Sequence, residues 1–190
     1  MLKFKTEGSL CLRFFYFKEM DIQENIVNKV AQSGLVSFDL ATLKVAGERV
    51  VYDIKDNLFQ GLILREKDFR EFVKQNDWEK YKDKNVSVIC SADAIVPTWA
   101  YMLIASKLSP MANFFVFGDL EILETALYLK SIDALDVTRF KDQRIVIKGC
   151  GETYVPTSAF MAITNKLNNV AKSVMYGEPC STVPIYKRKD

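Results

Sequence analysis

Residues 86–119 read VSVICSADAIVPTWAYMLIASKLSPMANFFVFGD, and residues 145–178 read IVIKGCGETYVPTSAFMAITNKLNNVAKSVMYGE. Aligned at an offset of 59 without a gap, they agree at 10 of 34 positions, from Val96 with Val155 to Gly118 with Gly177. Unrelated segments of average composition agree at about two. Conservative pairs extend the match: Asp93 with Glu152, Tyr101 with Phe160, Phe117 with Tyr176 and Asp119 with Glu178. The pattern is that of an internal repeat.

Each copy opens with a β-branched run, 86–89 or 145–147, which predicts a buried strand. A loop then runs to Val96-Pro97-Thr98 or Val155-Pro156-Thr157. Proline suits the first turn of a helix, where its missing N–H would have no partner in any case. Tyr101, Ile104, Ala105 and Leu108 follow at helical spacing. Phe160, Ile163, Thr164 and Leu167 match them, with Thr164 the one polar exception. A second strand, 114–117 or 174–176, closes each unit and leads into Gly118-Asp119 or Gly177-Glu178.

Outside the repeat, the pattern predicts helices over 120–132, 66–75 and 22–32, and strands over 36–39 and 49–54. Strand–helix–strand units joined this way form right-handed crossovers in a parallel sheet. The expected fold is α/β: a doubly wound, largely parallel sheet with helices on both faces, containing a duplicated strand–loop–helix–strand unit. The expected organisation is one domain over 20–190, with 1–19 an N-terminal extension outside it.

Composition excludes several classes. With 49% hydrophobic and 26% charged residues, the 190-residue chain suits an ordinary globular domain and neither a disordered nor a disulfide-dense one. A net charge of +2 supplies no field for nucleic acid or anionic lipid. The basic run Lys187-Arg188-Lys189 reads as a solvated tail. No stretch has the roughly 18 apolar residues of a membrane span. The apolar stretch 10–17 is broken by Arg13 and followed by Lys18, with no small-residue cleavage site, so a signal peptide is not expected. A cytoplasmic location follows as the expectation. Histidine is absent, which excludes serine–histidine hydrolases and histidine-based zinc sites or general bases.

In open α/β sheets ligands bind beyond the carboxyl ends of the strands. The predicted strands lead into Cys90-Ser91-Ala92-Asp93, Gly118-Asp119, Gly149-Cys150-Gly151-Glu152 and Gly177-Glu178-Pro179-Cys180. Cys90, Cys150 and Cys180 are therefore candidate thiolate ligands for zinc or an iron–sulfur cluster. Asp93, Glu152 and Glu178 are candidate carboxylates beside them. The plainer reading takes the cysteines as small buried hydrophobes and has Asp93 and Glu152 complement helix dipoles. Alternatively, Cys90 or Cys180 is a nucleophile for thiol or persulfide transfer. Gly149 and Gly151 form neither a dinucleotide nor a phosphate-loop pattern, so no nucleotide cofactor is expected. Cys11, in the extension, belongs to none of these.

The segments CSADAIVPTWA (90–100), KGCG (148–151), GEPCSTVPIYKR (177–188) and DIKDNLFQGLIL (53–64) resemble a bacterial domain-of-unknown-function family, from about Ile26 to the C-terminus. Members of that family are encoded beside genes of SUF-type iron–sulfur assembly. The resemblance thus implies an accessory role in cluster biogenesis, with iron–sulfur assembly proteins as partners. Three readings stand: a metal- or cluster-binding accessory protein, a thiol- or persulfide-transfer enzyme, and a non-catalytic interaction module.

Overall fold

The computed structural model describes residues 34–148 and 151–189. In chain order the elements are β1 (Leu35–Asp39), β2 (Arg49–Asp53), α1 (Glu66–Gln75), β3 (Asn85–Ile89), α2 (Thr98–Leu108), β4 (Phe114–Phe117), α3 (Leu120–Ala134), β5 (Arg144–Lys148), α4 (Thr157–Asn168), β6 (Ser173–Glu178) and β7 (Ser181–Lys187). The helix expected over 22–32, the extension 1–19 and Cys11 lie outside the described residues, as does Cys150. Among the described residues no helix is long and apolar enough to cross a membrane.

The strands form two sheets where one was expected. The first, in the order β2-β3-β4, is parallel throughout. The second, in the order β1-β5-β6-β7, is parallel except for β7, which pairs antiparallel with β6. The split comes from β1 and β2. They are near neighbours in sequence, yet β2 joins β3 while β1 passes over the whole first sheet to pair with β5. Registers correspond at the offset of 59 between β3–β4 and β5–β6: Asn85 faces Phe114 as Arg144 faces Ser173. On the other side of these strands, though not at that offset, Asp53 faces Ile89 and Asp39 faces Lys148.

Each sheet has its own core. Val86 and Val88 pack with Ala100, Ile104 and Leu108 of α2 and with Phe69 and Val73 of α1. Ile145 and Ile147 pack with Ala159, Ile163 and Leu167 of α4. Positions i, i+4 and i+8 share one helix face, so each helix buries a single stripe. Pro97 and Pro156 sit directly before the first helical residue, one position earlier than expected, and their carbonyls accept from the amides of Ala100 and Ala159, both at 2.9 Å. Gly118, directly after β4, and Gly177, next to the last residue of β6, have φ of +134° and +119°. A Cβ on Gly177 would stand 2.6 Å from the Ser181 carbonyl oxygen, so only glycine fits the turn.

Helix α3 joins the two halves. Leu123 and Leu127 are buried along it, and Tyr128 and Ile132 enter the second core. Glu124 receives the guanidinium of Arg49, the first residue of β2, through Nε at 2.5 Å and Nη2 at 3.3 Å. Lys166 of α4 donates to the carbonyls of Ile132 and Asp133 at 2.7 and 2.5 Å, a cation at the C-terminal turn where the helix dipole favours one.

The C-terminal basic run is only in part the expected solvated tail: Lys187 and Lys189 are exposed, but the run is tied to the sheet. Lys187 ends β7 opposite Ser173, and Arg188 donates to Asp142 Oδ1 at 2.6 Å. Pro184 disguises this strand in the sequence, since proline argues against a ladder position. Here it sits on an edge strand beside a register irregularity at Val174/Met175, where a missing N–H is tolerated.

Burial separates neighbours on the same helix. Ile104→Ala and Ile163→Ala should each cost about 2–5 kcal/mol in urea unfolding. Met102→Ala and Met161→Ala, at side chains 68% and 71% exposed, should stay within about 0.5 kcal/mol. Equal costs at the isoleucines and methionines would contradict the assignment of helix faces.

Candidate functional site

Parallel strands deliver their carboxyl ends to one side of each sheet, and the polar residues gather there. At the first sheet, Asp53 closes β2 and turns the chain into a short 3₁₀ segment. Its Oδ1 accepts from the backbone amides of Lys55 and Ser91, both at 3.0 Å, and its Oδ2 from the Ser91 hydroxyl at 2.6 Å. The Lys55 ammonium stands 3.3 Å away. Desolvation pushes the Asp53 carboxyl up, but the hydrogen bonds from Ser91 and Lys55 outweigh it and hold the group at about 2. Cys90 is half-buried beside this carboxylate, with Sγ 3.5 Å from the Ala92 carbonyl oxygen. Burial raises the Tyr101 phenol, and the charges of Cys90 and Asp53 add to the rise.

The second sheet presents a related end. Asp39 closes β1, accepts from the Ala41 amide at 2.9 Å, and lies opposite Lys148 in register. The Lys148 ammonium pairs with Glu178 at 2.6 Å. Its pKa is raised first by that hydrogen bond, then by the charges of Glu178, Asp39 and Cys180, against a desolvation that lowers it. Cys180 is exposed in the turn between β6 and β7 and forms no disulfide.

Each sheet also has an apolar groove between it and its crossover helix. The larger, of about 650 Å³, is lined by Ile147, Phe160, Met161, Met175, Tyr176 and Ile185, with Thr157, Asn165 and Asn168 as polar groups. The smaller, of about 370 Å³, is lined by Val88, Tyr101, Met102, Val116 and Phe117. Offset by 59, Val88, Tyr101, Met102, Val116 and Phe117 become Ile147, Phe160, Met161, Met175 and Tyr176. In both grooves the aromatic pair meets edge to face, Tyr101 on Phe117 at 5.0 Å and Phe160 on Tyr176 at 5.7 Å.

Of the residues singled out from sequence, Cys90 belongs to the first sheet's end, and Cys180 and Glu178 to the second's. Among the described residues, no three Cys, Asp or Glu side chains stand together as a ligand set. Asp93 and Glu152 are exposed loop residues ahead of α2 and α4, neither of which has an acid in its first turn. Asp39, Asp53, Ser91 and Lys148 were not singled out. The signal for the two aspartates was present as Phe38-Asp39-Leu40 and Tyr52-Asp53-Ile54: an aromatic, an acid and an aliphatic residue at a strand end, twice.

The Asp53 network makes a titration prediction. A carboxyl held below its ordinary range means that the stabilisation is complete above about pH 5 and is lost as the pH falls through about 2. Carboxyl NMR titration should place the Asp53 midpoint near 2 and move it upward in Ser91→Ala. An unchanged midpoint in that variant would show that Ser91 does not hold the carboxylate.

No curated protein and no solved structure matches the chain. Residues 24–188, spanning both sheets and both clusters, match the family model described as Protein of unknown function (DUF2480), and the chain belongs to that family.

Proposed function

We propose that the protein is a binding accessory protein that grips a partner polypeptide in the groove between α4 and the β6–β7 hairpin and presents the Cys180 thiol at the tip of that hairpin. The observation that carries this reading is the groove itself. It is of ligand size, its lining is mostly apolar, and Met161, 71% exposed, stands at its mouth. Methionine and aromatic side chains adapt to varied apolar anchors, and threonine and asparagine supply hydrogen bonds that orient a chain. The corresponding registers and groove linings of the two sheets support a duplicated strand–loop–helix–strand module, one copy of which enlarged its groove by adding β7. The iron–sulfur assembly setting implied by the family resemblance supplies a class of partner: a protein of cluster biogenesis.

To test the groove, a phage-displayed library of random peptides is panned against the protein. Enriched peptides should carry apolar anchors, and Met161→Glu should weaken their binding at least about tenfold, equivalent to 1.4 kcal/mol. Lys74→Glu, at an exposed position of α1 in the other half, should leave it unchanged. Binding indifferent to Met161→Glu would remove the groove from the proposal.

A second reading, sulfur handling at Cys180, is favoured by the exposure of that thiol next to the Lys148 ammonium. In such a step the Cys180 thiolate attacks the outer sulfur of a donor protein's persulfide. A new Sγ–S bond forms as the donor S–S bond breaks, and the donor leaves as a thiolate. A zinc or iron–sulfur site shared by Cys90, Cys150 and Cys180 has less support, because Cys90 and Cys180 follow strands of different sheets. Single changes to serine at the three positions separate the readings. Persulfide transfer from a small-molecule persulfide should be lost only in Cys180→Ser, whereas a shared metal site would lose metal in all three variants. Labelling of the wild type at Cys90 in preference to Cys180 would contradict the sulfur-handling reading.

A further inference from the structure

In the second sheet, the outer edge of β6 is covered by β7. In the first sheet, the strand at the corresponding place is β4, and among the described residues nothing pairs with its outer edge. An uncovered strand edge presents a row of unpaired N–H and C=O groups, and proteins normally blunt such edges with charge, proline or a bulge. The other edge strands carry these devices. β1 ends in Asp39; β2 has Arg49 and Asp53; β7 has Pro184, Lys187 and an irregular register. β4 is Phe114-Phe115-Val116-Phe117, with none of them. Phe117 is 64% exposed, and the adjoining groove leaves Met102 exposed as well.

We infer that β4 is a homodimerisation edge, pairing antiparallel with β4 of a second copy across a two-fold axis to make one continuous six-stranded sheet. The pairing direction follows from symmetry, since a two-fold axis perpendicular to a sheet sets two identical edge strands antiparallel. It is also the direction in which β7 adds to β6. The register follows from the backbone. The Gly118 amide donates inward to Val88, and in a parallel ladder the residues alternate, so Val116 also points inward while Phe115 and Phe117 point their N–H and C=O groups outward. Pairing centred on Val116 sets Phe115 of one copy opposite Phe117 of the other, twice, so that outward groups meet outward groups. Both rings then stand on the groove face, and the two small grooves merge into one covered apolar interior. Beyond the strands Asn113 meets Asp119, so no like charges oppose. This inference is independent of the peptide-binding groove, which lies on the other sheet.

The test is sedimentation equilibrium of the full chain. At about 50 µM the wild type should give twice the 21.7 kDa of one chain. Phe117→Lys, a change at an exposed side chain, should return the mass to that of one chain. Val183→Lys, at a comparably exposed apolar position on β7, should remain dimeric. In a Cys180→Ser background, Val116→Cys should form an intermolecular disulfide on mild oxidation, because residues facing at a non-hydrogen-bonded pair have Cβ atoms about 4.5–5.5 Å apart. A monomeric wild type, or a Phe117→Lys chain that is still dimeric, would overturn the inference. A monomer whose Phe115 and Phe117 amides are nevertheless protected from hydrogen exchange would also overturn it, by assigning the edge to another strand such as one from residues 1–33.

Discussion

Parallel pairing requires that each strand be re-entered from the same end, and a helix is the compact way to make that return. In this chain the requirement is met by α2 between β3 and β4 and by α4 between β5 and β6. Because those helices must cover the sheet they cross, Ala100, Ile104 and Leu108, and their counterparts Ala159, Ile163 and Leu167, are fully buried. Because the helical returns all run the same way, the carboxyl ends of the parallel strands of one sheet fall together, the antiparallel β7 excepted. The chemistry-bearing loops are therefore adjacent as a consequence of the topology.

That logic also explains what could be read from the sequence and what could not. The strand–loop–helix–strand units were legible because period-2 and period-3.6 patterns are local, and the gapless match exposed them twice. The division into two sheets was not legible. Whether β1 pairs with β2 or with β5 is decided by contacts across some hundred residues, and nothing within Leu35–Asp39 encodes the choice. β7 was hidden by Pro184 and by the basic residues after it. The positions of Cys90 and Cys180 at strand ends were readable, but their assignment to different sheets depended on that same non-local pairing. Asp53 and Ser91 went unnoticed because their partnership links residues 38 apart and leaves no trace in either segment alone.

The two halves are alike in register and groove lining but differ in polar chemistry. The first sheet ends in a tightly hydrogen-bonded aspartate with a half-buried thiol. The second ends in a lysine–glutamate pair with an exposed thiol. A thiol that must meet another protein belongs on the accessible end, which is where Cys180 stands. It stands four positions beyond Tyr176 of the groove wall, at most roughly 13 Å along the chain. The proposed grip and the thiol are thus close enough to act on one bound partner.

That proximity is the central claim, and a photocrosslinker attached to Cys180 tests it directly. With a groove-selected peptide bound, irradiation should join the peptide to Cys180, and Met161→Glu should abolish the product. A peptide that binds in a Met161-dependent manner yet never crosslinks to Cys180 would show that groove and thiol are separate features with no shared partner.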